Sequence, residues 1–395
     1  MKVVMIGAYP LQPGEIKGGI ESVTSTLVPS LAECDDIEGI TVIRFHRGDA
    51  VTSYRREGPK VEVHYLRGQD RLRTITGSFL DVRKARKLIA HIQPDVVHGQ
   101  EIGWFGDIAT RCGAHSVVTV HGLPHVEIRL QARDGFRHKL RIMPVENMVR
   151  RVLRKAKVVI SISRYDAERL DGMISGSRVS IANPTDASFF ELAPSGSTSP
   201  RLLFAGVLTP RKNVIGLLNA FALVRNSMPE ARLAMVGPAP DADYAAVVET
   251  RIAELGLDGA VDRVGFVGND RLRDEISAAR AVVLFSREET APTIIAQAMA
   301  AGKPVVSSRV GGVSEMVVDG ETGFLVDSED ETALAARLLN VLQDQDLCLD
   351  MGRRGHDIAR QRFSPDAVAA RTVEAYRAAL GRPARTSAEV LEEMK

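Results

Sequence analysis

The stretch 283–326, VLFSREETAPTIIAQAMAAGKPVVSSRVGGVSEMVVDGETGFLV, constrains the fold more than any other part of this chain. An apolar run at 281–285 has the length of a buried parallel strand and stops at Ser286. Two acids follow, Glu288 and Glu289, then Pro292 and a run rich in Ala and Ile with helical length. A second apolar run, 304–307, ends in Gly311-Gly312. This is a β-loop-α-β unit whose polar groups gather at the carboxyl ends of its strands. Open α/β sheets bind ligands at that edge.

The first loop has the physics of an anion site. A helix starting near Pro292 leaves its first backbone N–H groups without internal partners, and proline suits that turn because it has none. The N–H groups of Thr293, Ile294 and Ile295 remain, and the helix dipole adds positive potential there. Glu289 and Gln297 lie about two helical turns apart and can grip two parts of one elongated polar ligand. A plain helix start, with Glu289 as a cap-like acid, is the alternative.

Read as a whole, the segment resembles the signature of retaining nucleotide-sugar glycosyltransferases of family 4, which have the GT-B fold. The resemblance rests on Glu289, then Gln297 with Ala298-Met299-Ala300-Ala301-Gly302-Lys303-Pro304-Val305, on Gly311-Gly312 and Glu315, and on Asp319-Gly320-Glu321-Thr322-Gly323-Phe324-Leu325-Val326. Gln297 stands where the family usually carries a second Glu, expected to hold the ribose hydroxyls. An amide still donates and accepts there, without charge.

The rest of the chain is consistent with two domains of this kind. Its length, 395 residues, gives each of two domains its own core. Strands are expected at 2–6, 41–45, 61–65, 96–98, 116–120 and 158–161, with helices at 20–31 and 78–91. The stretch 192–200, LAPSGSTSP, reads as a linker. A second series follows, with strands at 201–205, 232–236, 261–266, 281–285 and 305–307 and helices at 214–224, 332–343 and 365–380. Strands alternating with helices imply mostly parallel sheets. The resemblance implies two Rossmann-like halves facing across a cleft. The expected domains are 1–191 on the acceptor side and 200–364 on the donor side, with a last helix, 365–381, returning to the first. A loose tail is expected after Thr386.

Composition narrows the setting. Cys34, Cys112 and Cys348 form no metal or redox spacing, which fits a reducing cytoplasm. No apolar stretch approaches the ~20 residues that span a bilayer, and residues 1–8 are too short and strand-like for a signal peptide. Charge is uneven: residues 1–190 hold 28 Lys/Arg against 21 Asp/Glu, the remainder 23 against 29. The densest basic run, 129–157, is either a solvated helix face or a face for an anionic membrane or acceptor. Aromatic content is 5% and no nucleic-acid module appears, so no nucleic-acid partner is expected.

Further candidates lie at strand ends. Pro13-Gly14 and Gly18-Gly19 follow the first strand, where glycine lets a backbone approach phosphate; the spacing is not the dinucleotide fingerprint. In LLFAGVLTPRKN, Lys212 suits a diphosphate as a point charge and Arg211 as a planar fork. His121 follows the strand 117–120, and His98 and Gln100 follow another. Ser163 precedes a helix, and Asn183-Pro184 marks a turn. Asp241-Ala242-Asp243 imitates a metal motif but stands apart from the other candidates.

The resemblance gives these residues roles. Gly18 and Gly19 would face the donor diphosphate, Lys212 would match the family's Lys, and His121, with Gly122, would contact the donor sugar or reacting centre. Val207 replaces a usual Arg, and Gln100 a usual His. The implied activity is sugar transfer from a nucleotide sugar to a hydroxyl of a carbohydrate, lipid-linked or small-molecule acceptor, in cell-surface polysaccharide, glycolipid or small glycoside synthesis. The expected catalytic set is His121, Glu289 and Lys212. The donor set is Gly18, Gly19, Arg211, Lys212, Glu289, Thr293, Ile294 and Gln297. No cofactor and no obligatory metal are expected, and the protein is placed in the cytoplasm or at the inner membrane face. The rival readings are a silent sugar-nucleotide binder, an epimerase or a phosphorolytic glycosidase on the same fold, and a dehydrogenase.

Overall fold

A computed structural model describes residues 1–12, 16, 18–46, 53–68, 78–126, 136–192 and 199–383, with 136–141 as backbone only. Pro13-Gly14, the core of the expected linker, the first part of the basic run and the expected tail lie outside the described residues. The chain divides into two compact units, Met1–Pro184 with Pro365–Lys395, and Thr185–Ser364. The division falls at Pro184/Thr185, upstream of the Pro/Ser/Gly stretch.

The first unit holds β1 (Lys2–Ile6), α1 (Gly19–Glu33), β2 (Gly39–His46), β3 (Ser53–Arg56), β4 (Val61–Arg67) and α2 (Phe79–Ile92). It continues with β5 (Val96–Gly99), α3 (Trp104–Cys112), β6 (Ser116–Val120), α4 (Phe136–Lys155), β7 (Val158–Ser161), α5 (Arg164–Arg169) and β8 (Ser177–Ser180). Its sheet runs β3-β4-β2-β1-β5-β6-β7-β8. Among the described residues, only β3 pairs antiparallel. β3 and β8 were not read from the sequence because neither has a continuous apolar run; β3 is half-exposed or exposed throughout. Val3, Val96, Val117 and Val158 fill one face of the central strands, as near-continuous apolar runs do in parallel sheets covered on both sides.

The second unit contains α6 (Ala187–Phe190), β9 (Arg201–Ala205), a 3-10 turn Pro210–Lys212, α7 (Val214–Ser227), β10 (Arg232–Val236), α8 (Ala242–Glu254), β11 (Val261–Gly265) and α9 (Asn269–Ala278). Then come β12 (Ala281–Leu284), α10 (Thr293–Ala300), β13 (Val305–Ser308), α11 (Val313–Met316), β14 (Gly323–Val326), α12 (Glu331–Gln343) and α13 (Gln345–Phe363). Its sheet, β11-β10-β9-β12-β13-β14, is parallel throughout. The order reverses beside β9, where β10 lies on one side and β12 on the other. That is the switch point where open α/β sheets form a ligand crevice.

The final helix, α14 (Pro365–Ala379), belongs to the first unit, with Val368, Val373 and Tyr376 in its core.

Candidate active site

The carboxyl ends of β9 and β12 bring Lys212 and Glu289 together. Lys212 Nζ donates to Glu289 Oε1 at 2.5 Å, and Ser286 Oγ donates to the same oxygen at 2.7 Å. Arg211 Nη1 lies 3.4 Å from Glu289 Oε2 and donates to the Glu288 carbonyl at 2.7 Å. Lys212 and Glu289 are 9% and 5% exposed, whereas the Arg211 side chain is 46% exposed and turned to water. Burial alone would raise the Glu289 pKa. The charges of Lys212 and Arg211, with the Lys212 and Ser286 hydrogen bonds, outweigh it and hold the carboxyl below its ordinary value. The site therefore carries a fixed carboxylate and two cations at neutral pH.

Local structure holds these loops. Arg287 N donates to Arg211 O at 2.8 Å and Arg287 Nη1 to Pro210 O at 2.6 Å, tying the Lys212 turn to the Glu289 loop. Gly312 N donates to Glu289 O at 3.1 Å. Gly311 has φ +50°, and a Cβ there would stand 1.8 Å from that same carbonyl. Only glycine permits this approach.

The start of α10 supplies donors. Pro292 is its N-cap, and no side chain caps it. Ile295 N donates to Pro292 O at 3.1 Å, so it drops out of the expected trio of free donors. Thr293 and Ile294 N–H make no hydrogen bond among the described residues. Gln297 is buried one turn further along α10.

A cavity of about 310 Å³ opens on the same edge, lined by Gly237, Pro238, Arg263, Gly265 and Phe266 among others. Phe266 is 52% exposed. The cavity adjoins the Lys212 turn through the backbone. Leu208 N donates to Pro238 O at 2.9 Å, and a Cβ at Gly237 (φ +135°) would stand 2.0 Å from Gly206 O. Gly206 in turn faces Lys212 Cε.

In the first unit, Gly18 is the extended N-cap of α1, and a Cβ at Gly18 or Gly19 would meet nothing within 4 Å. Both glycines line a cavity of about 350 Å³ with Leu11, Glu21 and Arg44. His121 lies half-buried, with Nε2 2.7 Å from Gln100 Oε1, and Asn183 is a second polar partner of its ring. Burial lowers its pKa to about 4, with the Asn183 hydrogen bond opposing. His98 is fully buried between Tyr376 OH at 2.9 Å and Thr119 Oγ1 at 2.8 Å. Burial, then the neighbouring His121, lower its pKa to about 3. It is a neutral core residue.

Residues 18–182 match the family described as glycosyl transferase 4-like domain, and residues 188–357 that described as glycosyl transferases group 1. A D-inositol 3-phosphate glycosyltransferase of Nocardioides sp. is 30% identical over 72% of this chain and 67% of its own length. The chain belongs to glycosyltransferase family 4. Another D-inositol 3-phosphate glycosyltransferase, from Streptomyces avermitilis, is 33% identical over 55% of this chain; the match spans about half (49%) of that relative. Among solved structures, sucrose-phosphate synthase from Thermosynechococcus elongatus superposes with TM-score 0.78 at 23% identity, over 95% of this chain and 98% of that one. Anabaena HepE in complex with UDP-glucose gives 0.67 at 20% identity, over 95% and 98%. The GT-B expectation therefore holds, with two Rossmann-like units, and the family is one of retaining, nucleotide-sugar-dependent transferases.

Other motif residues of this family member do structural work. Asp319 Oδ1 accepts from Leu325 N at 3.0 Å and Oδ2 pairs with Arg309 at 2.7 Å, so the Asp-Gly-x-x-Gly stretch closes a turn before β14. Ser163 Oγ caps α5 by accepting from Asp166 N at 3.2 Å. Asp241 Oδ1 accepts from Asp243 N and Tyr244 N, which caps α8. Val207 is 41% exposed and supplies no charge. Sequence reasoning missed Ser286, although its place at the end of β12 is the cue, and it missed the cavity at Phe266, whose lining comes from three strand ends and from α8.

Proposed function

We propose that the enzyme transfers a sugar from a nucleoside diphosphate sugar to an acceptor hydroxyl, with the donor held chiefly by the second unit. The observation that carries this reading is the buried Lys212–Glu289–Ser286 cluster with Arg211, at the switch point beside the free N–H groups of Thr293 and Ile294. Breaking an anomeric bond to a diphosphate moves negative charge onto the leaving group. Lys212, Arg211 and the two N–H groups are placed to neutralise it, each by about 3 kcal/mol if they resemble oxyanion-hole donors. No metal is required for this step.

Glu289 then binds sugar hydroxyls, and Gln297 the ribose. The apolar cavity at Phe266 and Pro238 suits the base, with the ring stacking on an aromatic face. HepE crystallises with UDP-glucose, which makes UDP-sugars the first donors to test. On the first unit we assign Gly18 and Gly19 to the diphosphate and His121 to the donor sugar. The leaving phosphate oxygen takes the acceptor proton in a same-face attack through an oxocarbenium-like state.

A thermal-shift panel of nucleotide sugars identifies the donor, and release of nucleoside diphosphate is then followed with and without a panel of glycosyl and polyol acceptors. Acceptor-dependent release supports transfer. Tight binding without turnover over the whole panel favours the silent binder, and isomerised nucleotide sugar favours an epimerase.

We also propose that the acceptor is met at an anionic membrane face. Arg150, Arg154 and Lys155 are exposed on α4, and Met143 on the same helix is 61% exposed. No described helix is long and apolar enough to cross a membrane, so contact of this kind is peripheral.

A further inference from the structure

The residue after β5 that departs from the family pattern, Gln100, has a definite chemical consequence at His121. Gln100 is fully buried. A Cβ on Gly7 would stand 2.8 Å from Gln100 Cβ, so the side chain is packed tightly against β1's end. Its two amide ends face different neighbours. Nε2 donates to Met5 Sδ at 3.3 Å and lies 3.5 Å from each ring nitrogen of His98, both already partnered by Tyr376 and Thr119. Oε1 faces His121 Nε2 at 2.7 Å. Turning the amide over would set its oxygen against the Met5 thioether sulfur, lone pair against lone pair, and beside a His98 ring whose one N–H is already committed to Tyr376 or Thr119. The oxygen therefore belongs on the His121 side, and a carbonyl oxygen can only accept.

We propose that Gln100 is a positioning residue that fixes His121 as its Nε2–H tautomer, so that His121 meets the donor sugar through the Nδ1 edge as a hydrogen-bond acceptor and not as an acid. This rests on the assignment of His121 to the donor sugar and deepens it. The proton on Nε2 is committed to Gln100. Nδ1 keeps the ring's single lone pair, open to a sugar hydroxyl or to the NH2 end of the Asn183 amide. Among the described residues, the titratable groups packed around this row are His98 on β5, Tyr376 on α14, with Cys34 beside it, and His121 itself. None brings a charge at neutral pH, consistent with a ring held neutral by burial.

The test is ring ¹⁵N resonances of histidine-labelled full-length protein, with the His121 signal assigned from its loss in His121→Gln. The expected result is an Nε2–H tautomer that does not titrate above pH 5. Gln100→Met, close in volume, should give a mixture of tautomers, and Gln100→Glu should move the titration upward by about 1–3 pH units. Turnover of Gln100→Met should fall roughly tenfold with the donor KM unchanged, because orientation rather than binding is lost. An Nδ1–H tautomer, a wild-type titration near 6.5, or tautomers indifferent to Gln100→Met would overturn the proposal. The underlying assignment fails separately: His121→Ala with full turnover removes it, whatever the ring tautomer.

Discussion

The two units handle their polar strand ends in opposite ways. The second unit buries charge: Lys212 and the more exposed Arg211 share the buried Glu289 carboxylate, with Ser286 closing it. The first unit gathers neutral groups: buried His98 and Gln100 and half-buried His121 and Asn183 are joined by hydrogen bonds, and the two histidines are held unprotonated. A buried ion pair is strong only while both members remain, and one partner left alone is costly. A buried neutral row tolerates the loss of one member better but fails when protons are forced onto it. Charge therefore sits where a diphosphate must be neutralised, and uncharged, directional groups sit where a sugar must be oriented.

The largest effect expected from breaking this contrast is at Lys212. Lys212→Ala should lower turnover about 10²–10³-fold. It also leaves Glu289 buried without its main partner, at about 3–5 kcal/mol, so thermal unfolding should be measured alongside turnover. Replacing both residues, Lys212→Met with Glu289→Leu, should recover most of the stability and none of the turnover. Recovery of turnover would show that the pair is only structural.

Acid should separate the units. His98 and His121 have folded pKa values of about 3 and about 4 against an ordinary 6.5. Below 6.5 the unfolded chain binds protons that the folded first unit refuses, so stability is complete above 6.5 and declines as pH falls. The slope is at most ~1.4 kcal/mol per pH unit for each histidine until its folded value is reached. Glu289 runs differently. Its depressed pKa gives stability that is present above its ordinary 4.5 and is lost only below it. Between pH 6.5 and 4.5, hydrogen exchange should therefore accelerate in β5, β6 and α14 while β9 and β12 stay protected. His98→Gln should remove about half of that slope. Equal loosening of both units would contradict the contrast.

The smallest effect concerns the membrane. Binding to vesicles rich in anionic lipid should weaken as salt rises from 0.05 to ~0.5 M, as the Debye length shrinks. Arg150→Glu with Arg154→Glu should abolish it without altering turnover on a water-soluble acceptor. Binding indifferent to salt and to these charges would remove the assignment.

The contrast also explains what could be read in the sequence. The charged site was legible because it is carried by local patterns: Glu289 and α10 lie within one β-loop-α-β unit, and Lys212 stands seven residues beyond the end of its strand, Ala205. The neutral row was not. His98 looked like a strand-end candidate, but its partner Tyr376 lies 278 residues away on the last helix, and only the fold unites them. Short apolar strands such as β5 and β7 were found because parallel strands buried on both faces are apolar throughout; β3, exposed along its length, offered no such pattern. Asp319 and Asp241 carry motif spacing yet serve turn and cap, which spacing alone does not distinguish from ligand binding.

The most direct measurement is calorimetric titration of UDP and UMP into the wild-type protein and into the Lys212→Met/Glu289→Leu variant. The second phosphate is what Lys212 and the start of α10 are built to hold. The wild type should bind UDP at least tenfold more tightly than UMP, and the variant should bind the two alike. A variant that keeps the wild-type preference for UDP would contradict the account.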